Sequence, residues 1–483
     1  MRVLLVAPRV QLPIDTRSSP PLGLAYLAAI SERRGDEVRV YDGNVERESL
    51  EAVVEAFRPH VVGISANTIQ VQSAWRDAAL VRARSDAAVV LGGPHPSILP
   101  GESLEQHGVD FVVRGEGEET WAELCAAIEG APRESWPDRV RAIAGLSYRA
   151  PEGPCHNPER APIQDLDRLP FPAYRYFRIE RYTNLQPTLD ARKGPSYPIL
   201  TSRGCPYQCS YCCQIGPRRW RARSPENVVA EWRWLVRELG AREIGVLDDS
   251  FNIDRERVLR ICELLVKEGL NRVPWIMING MRANLVDEEL LRRMREAGCI
   301  RTAFGVESGN QRILDEVIGK HLTLEQVRAA FRAARAVGME TIGFFIIGLP
   351  GETEETIEDT IRFACELDPL VANFSMAMPF PGTRMHATVM EKGRLLVKDY
   401  DDYAFFEGRA AFEMPGLPPE LVERKWKEAY RRFYFRPRRI LRQLGRWSTY
   451  RDLPRVVRVA WRTAFGQGRS GEGERAQPDL LWG

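Results

Sequence analysis

The sequence predicts an α/β protein: an N-terminal doubly wound parallel sheet, a partial (β/α)6 barrel, and a small, mostly helical C-terminal region. Three observations carry this. Short β-branched runs alternate with segments of helical period from residue 2 to about 130. The rhythm then breaks over 131–198, where 11 of the 33 prolines fall. A second alternating series starts near 197 and repeats six times. At 483 residues the chain exceeds one ordinary core, so several domains are expected.

In the first series the strand candidates are "RVLLVAP", "EVRVYD", "HVVGISA", "AAVVLGG" and "DFVVRGEG". Between them lie "PLGLAYLAAISERRG", "ESLEAVVEAFRP", "VQSAWRDAALVRARS" and "SILPGESLEQHG", and "TWAELCAAIEG" closes the series. Ligands of such sheets bind beyond the carboxyl ends of the strands, where "APRVQLP", "ISANT", "GGPHPS" and "RGEGEE" sit. Residues 1–135 are taken as this domain. Residues 136–196 are expected to be a linker that wraps, because Leu166, Leu169, Phe171 and Tyr174 want burial. "RAIAGLSYR" inside it has the look of a small strand element.

The barrel is expected over 197–400. Its strand candidates are "YPILTSR", "EIGVLDD", "PWIMING", "IRTAFGVES", "ETIGFFIIGLP" and "NFSMAMP". Its helix candidates include 225–239, 254–269, 287–297, 323–337 and 353–367. Residues 401–483 form the helical C-terminal region. The stretch 423–447 there is basic and aromatic, and the tail from 466 has a disordered composition. The helix 423–447 is expected to pack its aromatics on the barrel rather than to bind nucleic acid or a membrane.

Composition excludes several classes. Net charge is +2 over 134 charged residues, which gives no general case for nucleic acid. No stretch approaches the ~18 apolar residues of a membrane span. "MRVLLVAP" runs straight into a strand pattern, without a separate signal block, so a cytoplasmic location is expected. Nine cysteines do not make a disulfide scaffold, and Cys125, Cys155, Cys262, Cys299 and Cys365 are scattered singly.

The other four cluster in "RGCPYQCSYCC". Cys205, Cys209 and Cys212 have the spacing C-x3-C-x2-C after the first barrel strand. A tight loop of three thiolates suits three corners of an iron–sulfur cubane and leaves one iron open. Zinc usually takes four ligands in two separated pairs, and no second pair or nearby histidine offers itself. Cys213 is the surplus. It is a bystander, a participant in redox or substrate chemistry, or a fourth ligand of a closed electron-carrying cluster. Adjacent residues rarely point to one metal, which favours the bystander.

C-x3-C-x-aromatic-C after strand one of a β/α barrel resembles the signature of radical S-adenosylmethionine enzymes. The resemblance implies a [4Fe-4S] cluster on Cys205, Cys209 and Cys212, with S-adenosylmethionine chelated at the open iron. It implies reductive cleavage to a 5′-deoxyadenosyl radical that abstracts hydrogen from a small-molecule substrate. An electron donor such as flavodoxin or ferredoxin follows from that. Tyr211 takes the aromatic position near adenine; the plain alternative is a packing tyrosine. "GVESGN" places Glu307 and Ser308 at ribose and methionine. "LDDSF" matches the amino-group stretch loosely, making Asp249 a cofactor candidate and Asp248 a substrate-site candidate; an N-cap by Asp249 or Ser250 is the alternative. Arg282 in "NGMRAN" is a partner for the methionyl carboxylate, or else a structural ion pair. Gly348 in "GFFIIGLPGET" and Pro379 in "MPFPGT" match the segments beside adenine.

With the preceding doubly wound domain, the whole resembles the class that carries a cobalamin (B12)-binding domain, over nearly 400 residues. Ser65, Gly92, Gly93, His95 and Gly117 lie on the loops that would meet the corrin; His95 is alternatively a turn histidine. The better-known B12 proteins carry Asp-x-His-x-x-Gly on the first loop, and "APRVQLPID" has no histidine. His60 lacks the Asp and begins the third strand at the wrong end. The resembling class often lacks that ligand, so cobalamin stays the expectation, with a vestigial domain as the alternative. Cobalamin-dependent methylation of a carbon or phosphorus centre in a small metabolite is the activity implied first. Dehydration or deoxygenation of an aminosugar-like diol, cyclisation and ring contraction are the other outcomes of this scaffold. A transfer-RNA methylthiotransferase is excluded, because it needs a second cysteine triad and the first domain offers Cys125 alone.

Overall fold

The computed structural model describes residues 1–10, 19–150, 152–182, 194–216, 218–403 and 408–444, with side chains to 441. In the first domain, strands Arg2–Ala7 (β1), Glu37–Asp42 (β2), Val61–Ser65 (β3), Ala88–Gly92 (β4) and Phe111–Val113 (β5) run parallel in the order β2-β1-β3-β4-β5. Val3, Leu4, Leu5 and Val6 are all wholly buried, because helices cover both faces of the sheet. One face packs Leu24, Ala28, Trp121 and Leu124, the other Val53, Val54, Val71 and Ala78. Gly63 lets the Trp121 ring lie on β3, since a Cβ there would meet the ring at 2.9 Å.

The expected linker 136–196 needs a correction. Leu146–Ala150 (β6) and Gly153–His156 (β7) extend the first sheet as antiparallel strands, making seven. The sequence shows only a short run there: Leu146, Ser147 and Tyr148 of β6 are buried, but β7 at the edge has no buried residue. The rest of the segment wraps as expected. Leu166 and Tyr174 are buried, and Leu169 and Phe171 are half-buried. Ala173 N–H donates to the Ala25 carbonyl at 2.9 Å, and the Tyr182 hydroxyl donates to Asp42 at 2.9 Å.

The second unit starts with Ser196–Ile199 (β8). Ser202–Arg203 (β9) then pairs antiparallel with Arg221–Ala222 (β10). Five more strands follow: Glu243–Val246 (β11), Trp275–Met281 (β12), Cys299–Glu307 (β13), Glu340–Ile347 (β14) and Val371–Met376 (β15). With β8 they form one parallel sheet in chain order, whose two edge strands do not pair, so the barrel is partial. Its helices start where the sequence places caps. Ser224, Asp254, Asp287, Thr323 and Thr353 each accept a backbone N–H three residues on. These starts lie at the rim beyond the carboxyl ends of the strands.

Helix Pro419–Tyr434 covers the free edge of β15. Trp426 donates its indole N–H to the Phe374 carbonyl at 2.6 Å, and the Tyr430 and Tyr434 hydroxyls accept from the N–H groups of Phe374 and Ala372 at 3.2 Å. An edge strand's unpaired backbone is thus satisfied by side chains. That is the packing role expected of 423–447, of which 445–447 lie outside the described residues, as does the tail from 466. Segment 394–413 holds a short pair, Arg394–Leu395 (β16) with Phe412–Glu413 (β17), and reaches back to the first domain. There the Tyr400 hydroxyl meets Glu102 at 3.1 Å, and its ring stands edge-on to His95 at 4.5 Å. Among the described residues no helix is long and apolar enough to cross a membrane.

The turn after β14 is held by Glu352, which is 3% exposed. One carboxylate oxygen accepts from Gly348 N at 2.7 Å and Leu349 N at 2.8 Å, and the other has no partner. Burial pushes this carboxyl from 4.5 up to about 7. Between those values the unfolded chain has released its proton while the folded protein keeps it. Folding stability from this group is therefore full below pH 4.5 and falls as pH rises to about 7. Thermal melts of Glu352→Gln should lose that slope; an unchanged slope would assign the pH dependence elsewhere.

Candidate active site

The loop from Gly204 to Trp220 hangs from the β9–β10 stem and carries the four clustered cysteines. Gly204 has φ +81°, and a Cβ there would meet the Arg219 carbonyl at 2.5 Å, so only glycine turns the chain here. The loop is tied down on several sides. Ser210 N donates to the Ile318 carbonyl and Met385 N to the Ser210 carbonyl, both at 2.9 Å. Gln214 donates to the Cys205 carbonyl at 2.7 Å, and Arg384 donates to that of Gln208 at 2.6 Å. The stem is fastened to the first domain by Arg203–Glu118 at 2.6 Å and Arg221–Glu116 at 2.7 Å.

Cys205, Cys209, Cys212 and Cys213 are half-buried free thiols opening into one cavity of about 820 Å³. Burial, then the Cys209 and Cys205 thiols, push Cys212 up to about 12. Burial likewise raises Cys209, against the pull of the nearby Lys320 ammonium. Ser250, itself buried, donates to the Cys205 sulfur at 3.3 Å. Among the described residues no three His, Cys, Asp or Glu side chains converge on a single metal ion. A cubane asks for something else: three thiolates, each on a different iron, spread around one open side. Three thiols spaced around a cavity wall fit that group.

Asp248 and Asp249 part company. Asp248 is fully buried and does not line the cavity. Its carboxylate accepts from Thr201 N at 2.6 Å, and from the Thr201 and Ser202 hydroxyls at 2.5 Å. The substrate-site expectation for Asp248 is thereby corrected: it clamps β8 to β11 just ahead of the cysteine loop. Asp249 opens into the cavity, where the surrounding protein and the adjacent Asp248 raise its carboxyl. Helix Arg255–Lys267 is capped by Asp254, so neither Asp249 nor Ser250 is its cap.

Arg282 is 7% exposed and lines the cavity. It donates to Asn284 at 3.1 Å and to the Lys320 carbonyl at 2.8 Å, and covers the Tyr207 ring at 3.4 Å. Among the described residues it makes no ion pair, so the structural ion-pair alternative does not describe it. Glu307 also lines the cavity, in the left-handed region at φ +65°, with Lys320 Nζ at 2.6 Å. Sequence reasoning missed Lys320, because it follows a π-helical turn, Ile313–Ile318, that has no sequence signature. Tyr211 is half-buried on the cavity wall.

Other expected positions stand behind that wall. The Ser308 hydroxyl pairs with Thr360 at 3.1 Å and is wholly buried. Gly348, at φ +90°, makes room for Val422, and Pro379 is buried while Met378 and Phe380 face the cavity. These family positions shape the loops; their side chains do not reach the cavity.

The cavity is shared with the first domain. Pro94, Gly115 and Glu116 line its far side, and a Cβ on Gly115 would meet nothing within 4 Å. Ser65, Gly92, Gly93 and Gly117 stand at the same carboxyl edge without lining the cavity. Gly93, at φ +95°, is demanded by protein rather than ligand, since a Cβ would meet the Ala66 carbonyl at 2.7 Å. His95 is 1% exposed, with its nitrogens 3.3 Å from Thr68 and Glu102. Burial lowers its pKa against the pull of Glu102, and its ring packs between Trp75 and Tyr400. Among the described residues no histidine lines the cavity.

A half-buried thiol triad at the mouth of a partial barrel, facing the ligand edge of a doubly wound sheet, is the arrangement expected of a radical enzyme with an accessory cofactor domain. The sequence matches the Radical SAM superfamily over residues 199–364 and the B12 binding domain over 17–125. It is 34% identical over 455 residues to an uncharacterized methyltransferase of Pyrococcus horikoshii, covering 92% of this chain and 95% of that one. It is 30% identical over 429 residues to the cytidylyl-2-hydroxyethylphosphonate methyltransferase of Streptomyces wedmorensis, covering 78% and 79%. The anaerobic magnesium-protoporphyrin IX monomethyl ester cyclase of Rubrivivax gelatinosus is 30% identical over 428 residues, covering 86% and 74%. Among solved structures, the radical S-adenosylmethionine methyltransferase TsrM from Kitasatospora setae, with cobalamin and a [4Fe-4S] cluster bound, shares the fold. Its TM-score is 0.69 at 23% identity, over 91% of this chain and 90% of that one. The chain belongs to the radical S-adenosylmethionine superfamily, in the methyltransferase-like family that carries a B12-binding domain.

Replacing Cys205, Cys209 or Cys212 by Ala should each abolish iron uptake on anaerobic reconstitution, whereas Cys213→Ala keeps the wild-type iron and sulfide content. Iron loss in Cys213→Ala would make it a fourth ligand. Asp248→Ala should also lower iron retention although it lines no cavity. It leaves buried donors at Thr201 and Ser202 unmet, at a cost on the order of 3 kcal/mol.

Proposed function

We propose that this chain methylates a carbon or phosphorus centre of a small metabolite. The single observation carrying this reading is the shared cavity, in which the cysteine triad and the carboxyl edge of the first sheet face the same space. When bound, the cluster with S-adenosylmethionine supplies hydrogen-atom abstraction from an unactivated C–H bond, and cobalamin supplies a transferable methyl group.

The chain's own residues divide the work. Cys205, Cys209 and Cys212 hold the cluster, and the fastened loop keeps them spaced. Arg282 offers a buried, uncompensated guanidinium to the methionyl carboxylate. Asp249 and Glu307 offer acceptors to the amine and ribose, and Tyr211 an aromatic edge to adenine. Ser308, Gly348 and Pro379 support that wall from behind. On the opposite side Gly115 and Pro94 leave backbone bare for a corrin, with Ser65, Gly92, Gly93 and Gly117 shaping the loops around it. Cys213 remains the thiol beside the triad that faces the substrate space. The domains are read as 1–156, with β6 and β7 included, and 196–400, followed by the C-terminal region.

This chemistry needs a low-potential one-electron donor such as flavodoxin or ferredoxin, and a reducing location such as the cytoplasm. It calls for no nucleic-acid or membrane partner. One observation favours a second outcome. The cyclase of Rubrivivax gelatinosus is 30% identical, so cyclisation or dehydration on the same scaffold is the competing reading.

Anaerobic reconstitution with iron, sulfide and hydroxocobalamin, then desalting, should leave a stoichiometric corrin band. Label from methyl-labelled S-adenosylmethionine should then appear in product. A protein without the corrin band would lose the methylation reading to the competing one.

A further inference from the structure

The wall of the cavity contains a buried ion pair that none of the expected motifs includes. Lys320 Nζ lies 2.6 Å from Glu307, and both side chains are 8% exposed. The pair is built rather than incidental. Gly305 beneath it leaves the pair its room: a Cβ there would lie 2.4 Å from Glu307 Oε1 and 2.7 Å from Lys320 Nζ, so the two tips could not keep these positions. Three nearby residues take left-handed backbone: Glu307 at φ +65°, Gly319 at +69° and His321 at +52°. For the two that are not glycine this is strained and persists only where surroundings enforce it. Arg282 does part of the enforcing, donating to the carbonyls of Lys320 at 2.8 Å and His321 at 3.4 Å.

The segment bearing Lys320 is also fastened to the cysteine loop. The Ile318 carbonyl accepts from Ser210 N at 2.9 Å, and Arg384, whose guanidinium a Cβ on Gly319 would meet at 3.3 Å, donates to the Gln208 carbonyl at 2.6 Å. Cys209 lies between those two loop residues. A carboxylate buried this close to the triad carries an electrostatic consequence. An iron–sulfur cluster must accept an electron, and its potential follows the net charge around it. An uncompensated Glu307 would oppose that electron in a wall too buried for solvent to screen it.

We propose that Lys320 is a positioning residue whose ammonium neutralises Glu307 beside the cysteine triad and so holds the cluster at a reducible potential. The inference rests on the cluster assignment above. It explains why a lysine is buried in a chain that has only 7 among 68 basic residues. It also explains why the pair is locked by strained backbone instead of lying free at the rim.

The test is redox titration of the reconstituted full-length protein, followed by paramagnetic resonance, with iron and sulfide counted first. Lys320→Met should keep its iron and show a potential shifted to more negative values than wild type. Lys320→Arg should retain the wild-type potential. Glu307→Gln should shift it the other way, and the Lys320→Met/Glu307→Gln double variant should return it towards wild type. If Lys320→Met does not fold, the Glu307→Gln and Lys320→Arg arms decide the matter. Single variants that lower the melting temperature while the potential stays put would make the pair purely structural and overturn the proposal. A wild-type protein that takes up no iron would instead overturn the cluster assignment and, with it, this inference.

Discussion

The carboxylate of Asp248 is the constraint on which the rest of the site depends. It is wholly buried, and it accepts from one backbone N–H and two hydroxyls at the end of β8. Burial raises it, but its hydrogen bonds and Arg257 act the other way. The next turn of chain carries the cysteines. Their direction out of the barrel is therefore set by a residue that never touches the cavity. Arg257 extends the clamp by donating to the Thr201 and Arg223 carbonyls at 2.6 and 2.8 Å. The first strand and its loop thus hang from one buried polar knot, the kind of feature whose partial loss costs more than its presence contributes.

From that knot the architecture works outward. The β9–β10 stem carries Arg203 and Arg221, and these meet Glu116 and Glu118 just after β5 of the first domain. Two strand ends from different sheets are thus held face to face by partly buried charge. The cavity between them belongs to neither domain alone. Such a shared site lets a bulky cofactor and a substrate be brought to one point, while the wrapping segment at Ala173, Tyr174 and Phe177 joins the apolar face of the first sheet to the barrel's core.

Much of this was legible in the sequence. The alternation of runs placed all six barrel strands. The cap residues Asp254, Asp287, Thr323 and Thr353 stand at the starts of four helix candidates, because caps and apolar period are local signals. The thiol triad was legible for the same reason. What escaped depended on direction. Asp248 and Asp249 are neighbours with the same chemistry, yet one is buried in a clamp and the other faces the cavity, a difference set by the pleat at the end of β11. Ser308 and Gly348 lie in motifs that read as cofactor contacts, but their side of the backbone faces Thr360 and Val422. Lys320 was invisible because a π-helical turn brings it back 13 residues to Glu307. Of the hairpin β6–β7 only the first strand showed, as "RAIAGLSYR"; that it pairs with Gly153–His156 and joins the first sheet did not.

The contact of Tyr400 with Glu102 joins residues 298 positions apart, and the same ring meets His95. It has a consequence for how the protein is made. Chain leaves the ribosome from the N-terminus, so the first sheet can form while most of the barrel is still unsynthesised. Its ligand-bearing edge cannot be finished then. Trp75 and His95 wait for an aromatic partner that arrives only after the last barrel strand. The cofactor domain is thus an early-folding sheet with a late-arriving wall, and that edge has its final shape only after the last barrel strand has been made.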